Sequence, residues 1–181
     1  MASPWSDTER KILERLDAAV RSPGAIRAIE PAVARVRGIL ARDTAAIEAW
    51  EPIPLETYGG ALPPEVRSSW VFILRHGVTT GAERHPNSAQ RMTSWSGGGD
   101  FQVHDGRVWV SHPMGSGSNG PVGERWISIP QQTWHQGVVG EEDWVVVSFH
   151  EVPAAELIEE RPEPGDPTLV RARKYLDVRQ A

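Results

Sequence analysis

Gly77-Val-Thr-Thr-Gly-Ala-Glu83-Arg-His85-Pro-Asn-Ser-Ala-Gln90-Arg-Met-Thr-Ser-Trp-Ser-Gly97 is the stretch whose reading decides the fold. Two glycines bound it, Glu83 and His85 stand two apart, and Gln90 follows a short Pro-containing connection. Further along comes Pro130-Gln-Gln-Thr-Trp-His135. Residues two apart on a strand point to the same face, so Glu83 and His85 project together while Arg84 points away. Gln90 then opens the neighbouring strand. His135, on a later strand, completes a cluster of two imidazoles, a carboxylate and a carboxamide. Two histidines and one carboxylate with open positions form the donor set of non-haem iron(II) oxygenases, and the set suits other first-row divalent ions as well. The competing reading is structural, with Glu83 and Arg84 as solvated edge charges and both histidines merely packed.

That spacing resembles the two motifs of the cupin superfamily: Gly, five residues, His-x-His, three or four residues, Glu, six residues, Gly, and later Pro-x-Gly-x-x-His. The glycine positions and the intervals of the first motif are kept here. Glu83 stands where the first His belongs, His85 is the second, and Gln90 replaces the Glu. In the second motif Pro130 and His135 are kept and Gln132 occupies the Gly position. The resemblance covers roughly residues 70–150. It implies a mainly β fold, a cupin-type double-stranded β-helix or jelly-roll barrel. It also implies a divalent metal held by Glu83, His85, Gln90 and His135, with iron(II) favoured and zinc, manganese or nickel as alternatives.

Composition bounds the rest. The chain has 181 residues, net charge −5 and no cysteine, with a pI near 5.7. One ordinary domain with appendages fits that length, divided as an N-terminal helical extension (1–50), the barrel (51–152) and a C-terminal helical tail (153–181). No Lys/Arg run marks a nucleic-acid or membrane patch. The lack of cysteine excludes disulfides, thiolate metal sites and thiol nucleophiles. The N-terminal residues lack a signal-peptide pattern and no apolar run reaches membrane-spanning length, so a cytoplasmic protein is expected. Lys11 and Lys174 are the only lysines, against 17 arginines. Eight tryptophans suggest large core fillers or the walls of a pocket for a flat organic ligand.

Taken in order, residues 6–21 read as a helix opened by a Ser6-Asp-Thr-Glu9 capping box and closed at Ser22-Pro23-Gly24. Ile26, Ile29, Val33, Val36 and Leu40 form a second helical stripe, split at Pro31. Asp43 caps a last short turn through Ile47 and Trp50. These stripes pack on the barrel or on a partner subunit, and a homodimer is expected. Strands are expected over 70–76, 90–95, 101–104, 107–111, 125–129 and 144–149. Ser96 to Asp100 and Asp105-Gly106 form turns, and residues 114–123 form a loop over the barrel mouth. Helices are expected over 153–160 and 168–180, joined by a linker.

Among the remaining histidines, His76 and His150 lie at strand ends and are candidate acids or bases. His104 and His112 sit beside turns. Arg75 is a candidate clamp for a substrate carboxylate, whereas Arg91 falls on the face opposite Gln90. Met92 and Ser94 share Gln90's parity and, with Trp134, are expected to contact substrate. No Gly-x-Ser-x-Gly elbow or phosphate loop is present. The favoured function is a metal-dependent enzyme acting on a small organic molecule, an oxygenase in character. The alternatives are a non-redox lyase or isomerase, a metal-free small-ligand binding module, and an interaction protein working through its N-terminal helices.

Overall fold

A computed structural model describes residues 5–115 and 120–177. Helix α1 (Asp7–Val20) starts where the capping box places it: Ser6 is the N-cap, and its hydroxyl accepts from the Glu9 amide at 3.2 Å. Helix α2 (Pro23–Arg42) is capped likewise by Ser22, with Pro23 in its first turn. It does not break at Pro31 as expected. A proline inside a helix costs roughly 3 kcal/mol, but Ala25, Ile29, Ala32, Val33, Val36 and Leu40 are buried on both sides of it. One continuous apolar face outweighs one lost hydrogen bond. Asp43 caps no further helix. Its carboxylate accepts from the amides of Ala45 and Ala46, and the chain turns directly into strand β1 (Glu48–Ile53).

Next come β2 (Ser68–Leu74), β3 (Gln90–Ser96), β4 (Gly98–His104), β5 (Trp109–Val110) and β6 (Pro113–Gly115). A four-residue helical turn α3 (Val122–Arg125) leads into β7 (Trp126–Ile129), followed by β8 (His135–Val139) and β9 (Trp144–His150). Only Gly97 separates β3 from β4, so Gly98 to Asp100, expected in a turn, are strand. A Cβ at Gly97 would lie 2.4 Å from the Asp143 carbonyl oxygen, and its φ is +71°; only glycine fits there. The loop expected over 114–123 begins inside β6 and ends inside α3, and residues 116–119 lie outside the described ones.

The strands form two antiparallel sheets. The first has the order β1-β2-β9-β3-β7; in the second, β4 pairs with β5, β6 and β8. Helices α1 and α2 cover the outer face of the first sheet, with Leu13, Leu16, Ile29 and Val36 against Val71, Ile73, Val145 and Val147. The inner face carries Trp70, Phe72, Met92, Trp144 and Val146 toward the second sheet. Covered on both faces, all seven residues of β9 are buried. Val33, Val36 and Leu40 are thus covered within one chain. Arg91 reaches the helix side, bonded to Glu9 at 2.6 Å, and Asp17 binds Arg125 at 2.7 Å and the Trp126 indole at 2.9 Å. No helix among the described residues is long and apolar enough to cross a membrane.

The C-terminal region differs from expectation. A 3-10 turn (Ala154–Glu156) leads into β10 (Ile158–Glu163), which forms a hairpin with β11 (Asp166–Lys174), and a second 3-10 turn follows (Tyr175–Asp177). The helix expected over 168–180 would set Leu169, Ala172 and Leu176 on one face, yet Leu169 and Leu176 are 57% and 48% exposed. The buried residues are Leu157, Glu159 and Tyr175, set on the barrel by strand alternation. Residues 178–181 lie outside the described ones.

Because α1 is an integral layer of the core, Leu16→Ala should cost about 2–5 kcal/mol in denaturant unfolding monitored by tryptophan fluorescence. A loss under about 0.5 kcal/mol would show the helices to be a dispensable appendage.

Candidate metal centre

Glu83 and His135 are brought face to face by their backbones. The Glu83 amide donates to the His135 carbonyl at 2.9 Å and the His135 amide donates to the Glu83 carbonyl at 2.8 Å. Directly paired residues on adjacent antiparallel strands project side by side. On its other edge the same segment pairs Arg84 reciprocally with Glu160 of β10 at 3.0 and 2.9 Å. His85, two residues on, lies on the Glu83 face. Gln132 closes the preceding loop, its amide donating to the His85 carbonyl at 3.0 Å. It does so at φ +63°, the left-handed conformation glycine adopts freely, which is how a glutamine serves at the motif's glycine position.

One ligand atom from each of Glu83, His85 and His135 lies within 4.8 Å of the others, and all three side chains are almost wholly buried. His85 Nδ1 is 2.9 Å from the Ile158 carbonyl, and His135 Nδ1 is 2.9 Å from the Thr133 carbonyl. A carbonyl only accepts, so Nδ1 of each ring carries a proton and Nε2 is the nitrogen left to face the cluster. Both Nε2 atoms are buried without a hydrogen-bond partner. His135 Nε2 faces Glu83 Oε1 at 3.4 Å. A proton or a metal cation between the two atoms would stabilise that contact. The donor set and its orphaned lone pairs fit a first-row divalent ion.

Gln90 opens β3 opposite His150 of β9. Its Nε2 donates to the Ser148 hydroxyl at 3.3 Å while Oε1 is buried without a partner. Ser148 lies 3.1 Å from His150 Nε2, and His150 Nδ1 is a further buried orphan. The His150 ring packs edge-on to His85 with centroids 4.9 Å apart. Met92 lines the interior beside Gln90 in a cavity of about 20 Å³ shared with Glu48, Phe72, Glu83 and Phe101. That is room for about one water molecule. A larger recess, about 380 Å³, lies on the opposite face of β3 between the helices and Trp95 and holds none of the cluster.

Four sequence candidates stand elsewhere. His76 has a side chain 67% exposed and pairs with Asp143 at 3.0 Å. Arg75 caps the C-terminal end of α2, donating to the carbonyls of Leu40, Asp43 and Ala46. Ser94 points inward, but its hydroxyl is committed to the Trp144 indole at 2.9 Å and to the Gly97 carbonyl. Trp134 faces away from His135 by strand alternation, its ring 4.6 Å beneath the Arg84 guanidinium.

The sequence reading missed the charges that surround the cluster. Arg161, on β10, donates to Glu159 at 2.5 Å, to Glu48 at 3.0 Å, to the Thr80 carbonyl at 2.9 Å and to Glu83 Oε2. Arg173 of β11 also binds Glu159, at 2.7 Å. Tyr175 is buried over the site, its ring 6.0 Å from His85. All of these residues lie where a helical tail was expected, except Glu48, which begins β1.

Burial sets the protonation states. It raises the Glu83 carboxyl, but the Arg161 guanidinium and then His135 outweigh it, and the carboxyl falls to about 2. Burial, and then His135, lowers His85 to about 4. Burial likewise lowers His150, with His85 adding to it. Burial and the charge of Glu83 raise Glu48 to about 7.

Comparison with known proteins bears on the fold. No family model matches the sequence, and no curated protein matches it. Among solved structures, a variant of salicylate 1,2-dioxygenase from Pseudoaminobacter salicylatoxidans, in complex with gentisate, superposes with a TM-score of 0.53 at 14% identity. It covers 80% of this chain and 35% of its own. Oxalate oxidase in complex with glycolate gives 0.46 at 17% identity, over 61% and 53% of the two chains. The coconut allergen cocosin gives 0.48 at 15%, over 63% and 28%. The chain therefore spans between 28% and 53% of the length of these proteins. Two antiparallel sheets closed around a Glu-His-His cluster define a jelly-roll barrel with an internal metal-type donor set. The fold of the chain is a cupin-type jelly-roll barrel.

The histidine protonation gives a stability test. The unfolded chain takes up a proton on His85 near pH 6.5, whereas the folded chain does so only near pH 4. Stability from this group is therefore complete above pH 6.5 and is lost as the pH falls to about 4, on the order of 3 kcal/mol. Urea unfolding of the metal-free protein between pH 7 and 4 should show a smaller acid loss for His85→Gln than for wild type. An equal loss in both would contradict a buried neutral His85.

Proposed function

We propose that this cupin is a metal-dependent enzyme acting on a small molecule, with Glu83, His85 and His135 as the protein ligands of one divalent ion and Gln90 Oε1 as a fourth donor. The observation that carries this reading is the pair of buried, unpartnered Nε2 atoms of His85 and His135 gathered with the Glu83 carboxylate within 4.8 Å. A structural cluster would turn these atoms to donors, since a buried unpaired acceptor costs about 1–3 kcal/mol. A divalent ion supplies Lewis acidity here and, if it is iron(II), the capacity to react with dioxygen. Two neutral imidazoles and one carboxylate leave such an ion with net positive charge, which favours an anionic or enolisable ligand beside it. Ser148 and Gln90 hold His150 in one orientation, with its Nδ1–H free to donate to that ligand. Phe101 stacks on His135 at 5.6 Å, and with Phe72 and Met92 it keeps bulk water out.

An oxygenase is the favoured chemistry because the donor set is that of the two-histidine, one-carboxylate iron sites. The cavity as it stands has room for about one water molecule. An organic substrate enters by displacing part of the wall, and Tyr175, carried by a 3-10 turn, is one of the wall residues outside the strands.

Elemental analysis of protein purified without added metal should find about one divalent ion per chain. His85→Ala and His135→Ala should each abolish binding. Glu83→Gln, which keeps shape but loses charge, should weaken it by about tenfold to a hundredfold. Full occupancy in the His85→Ala, His135→Ala double variant would overturn the assignment.

A further inference from the structure

We propose that Arg161 is a positioning residue for the metal: by holding Glu83 Oε2 it restricts the carboxylate to ligation through Oε1 alone and restrains the affinity of the site. The inference rests on the metal reading above and concerns how the ion is held. The two oxygens of Glu83 are differently engaged. Oε1 faces His135 Nε2 at 3.4 Å, while Oε2 is bonded to the Arg161 guanidinium. The guanidinium itself cannot turn away. Its Nε is fixed by Glu159, one terminal nitrogen by the Thr80 carbonyl, and the other by Glu48 as well as Glu83. Glu159 is in turn clamped by Arg173 from β11. The result is a line of alternating charge, Arg173, Glu159, Arg161, Glu83, that ends on a candidate ligand.

Structural need alone does not explain this arrangement. Neutralising Glu83 would take one hydrogen bond, whereas Arg161 joins three carboxylates and a carbonyl around one planar fork. Bidentate ligation through both oxygens would break a buried ion pair, which is strongly unfavourable. One oxygen of Glu83 therefore remains for the metal, and the coordination position the second would fill stays open for a ligand. The same strand supplies the Ile158 carbonyl that fixes His85, so β10 orients two of the three protein ligands. A fixed positive charge beside the ion also opposes its binding through the low-dielectric interior.

Cobalt(II) titration tests the proposal, because absorption intensity in the visible reports coordination number independently of turnover. Arg161→Met should bind cobalt about tenfold or more tightly than wild type. Its visible bands should be weaker as Glu83 becomes bidentate and the coordination number rises. Arg161→Lys, which keeps the charge, should stay within a few-fold of wild-type affinity. A merely structural role predicts the opposite sign, a destabilised protein that binds cobalt equally or less well. Arg161→Gln serves if Arg161→Met does not fold, with the same expected tightening. Unchanged or weaker affinity, or an unchanged spectrum, in the charge-removing variant overturns the proposal. A wild-type protein that binds no cobalt overturns the metal reading itself.

Discussion

The reciprocal backbone hydrogen bonds between Glu83 and His135 are the constraint on which the rest of the site depends. They join a segment outside the named strands to the first residue of β8, and register does what no side-chain contact could do alone. One residue of slip would turn both side chains to the opposite face. The slip is blocked on both edges. Gln132 ties the His85 carbonyl on the loop side, and Glu160 pairs Arg84 on the other. The segment over 83–85 thus lies between β8 and β10, and each neighbour contributes to the cluster: His135 from one, the Ile158 carbonyl and Arg161 from the other.

Electrostatics adds a second constraint. Glu48, Glu83 and Glu159 are all buried or nearly so, and Arg161 and Arg173 are the guanidiniums that meet them. Three carboxylates against two guanidiniums leave an excess of one negative charge in a region shielded from water. The protein relieves it partly by protonation, as the raised Glu48 carboxyl shows.

Much of the barrel was legible because its signals are local. The motif glycines have the left-handed conformations their positions demand, Gly77 at φ +69° and Gly97 at +71°. Parity along 83–85 and 90–94 put Glu83, His85, Gln90 and Met92 on the inner face and Arg91 on the outer one. What failed was read from periodicity without burial. Leu169, Ala172 and Leu176 mimic a helical stripe, yet the residues that matter in that region are charged: Glu159, Arg161 and Arg173. A buried charge has no sequence signature of its own, because its partners come from distant strands. Glu48 and Arg161 are 113 residues apart. His76 and Arg75 failed for another reason. Both sit where β2 ends, and a strand end does not say whether a side chain turns into the barrel or back over the helices.

The tryptophans carry the last step. Their number suggested either large core fillers or the walls of a pocket for a flat ligand, and Trp70, Trp126 and Trp144 are fully buried fillers. Within the barrel, Trp50, Trp70 and Phe72 close around Tyr175 with centroids 5.1 to 5.7 Å apart. Aromatic contact of that kind leaves a cavity of about 20 Å³ beside the cluster. In an interior so filled, shape has little room to discriminate among ligands. Selection falls instead to unpaired polar atoms at the cluster, among them Nε2 of His85 and His135, Oε1 of Gln90 and Nδ1 of His150. Three of these are acceptors that ask for a cation. The fourth is a His150 nitrogen held in place through Ser148, set to meet whatever that cation binds.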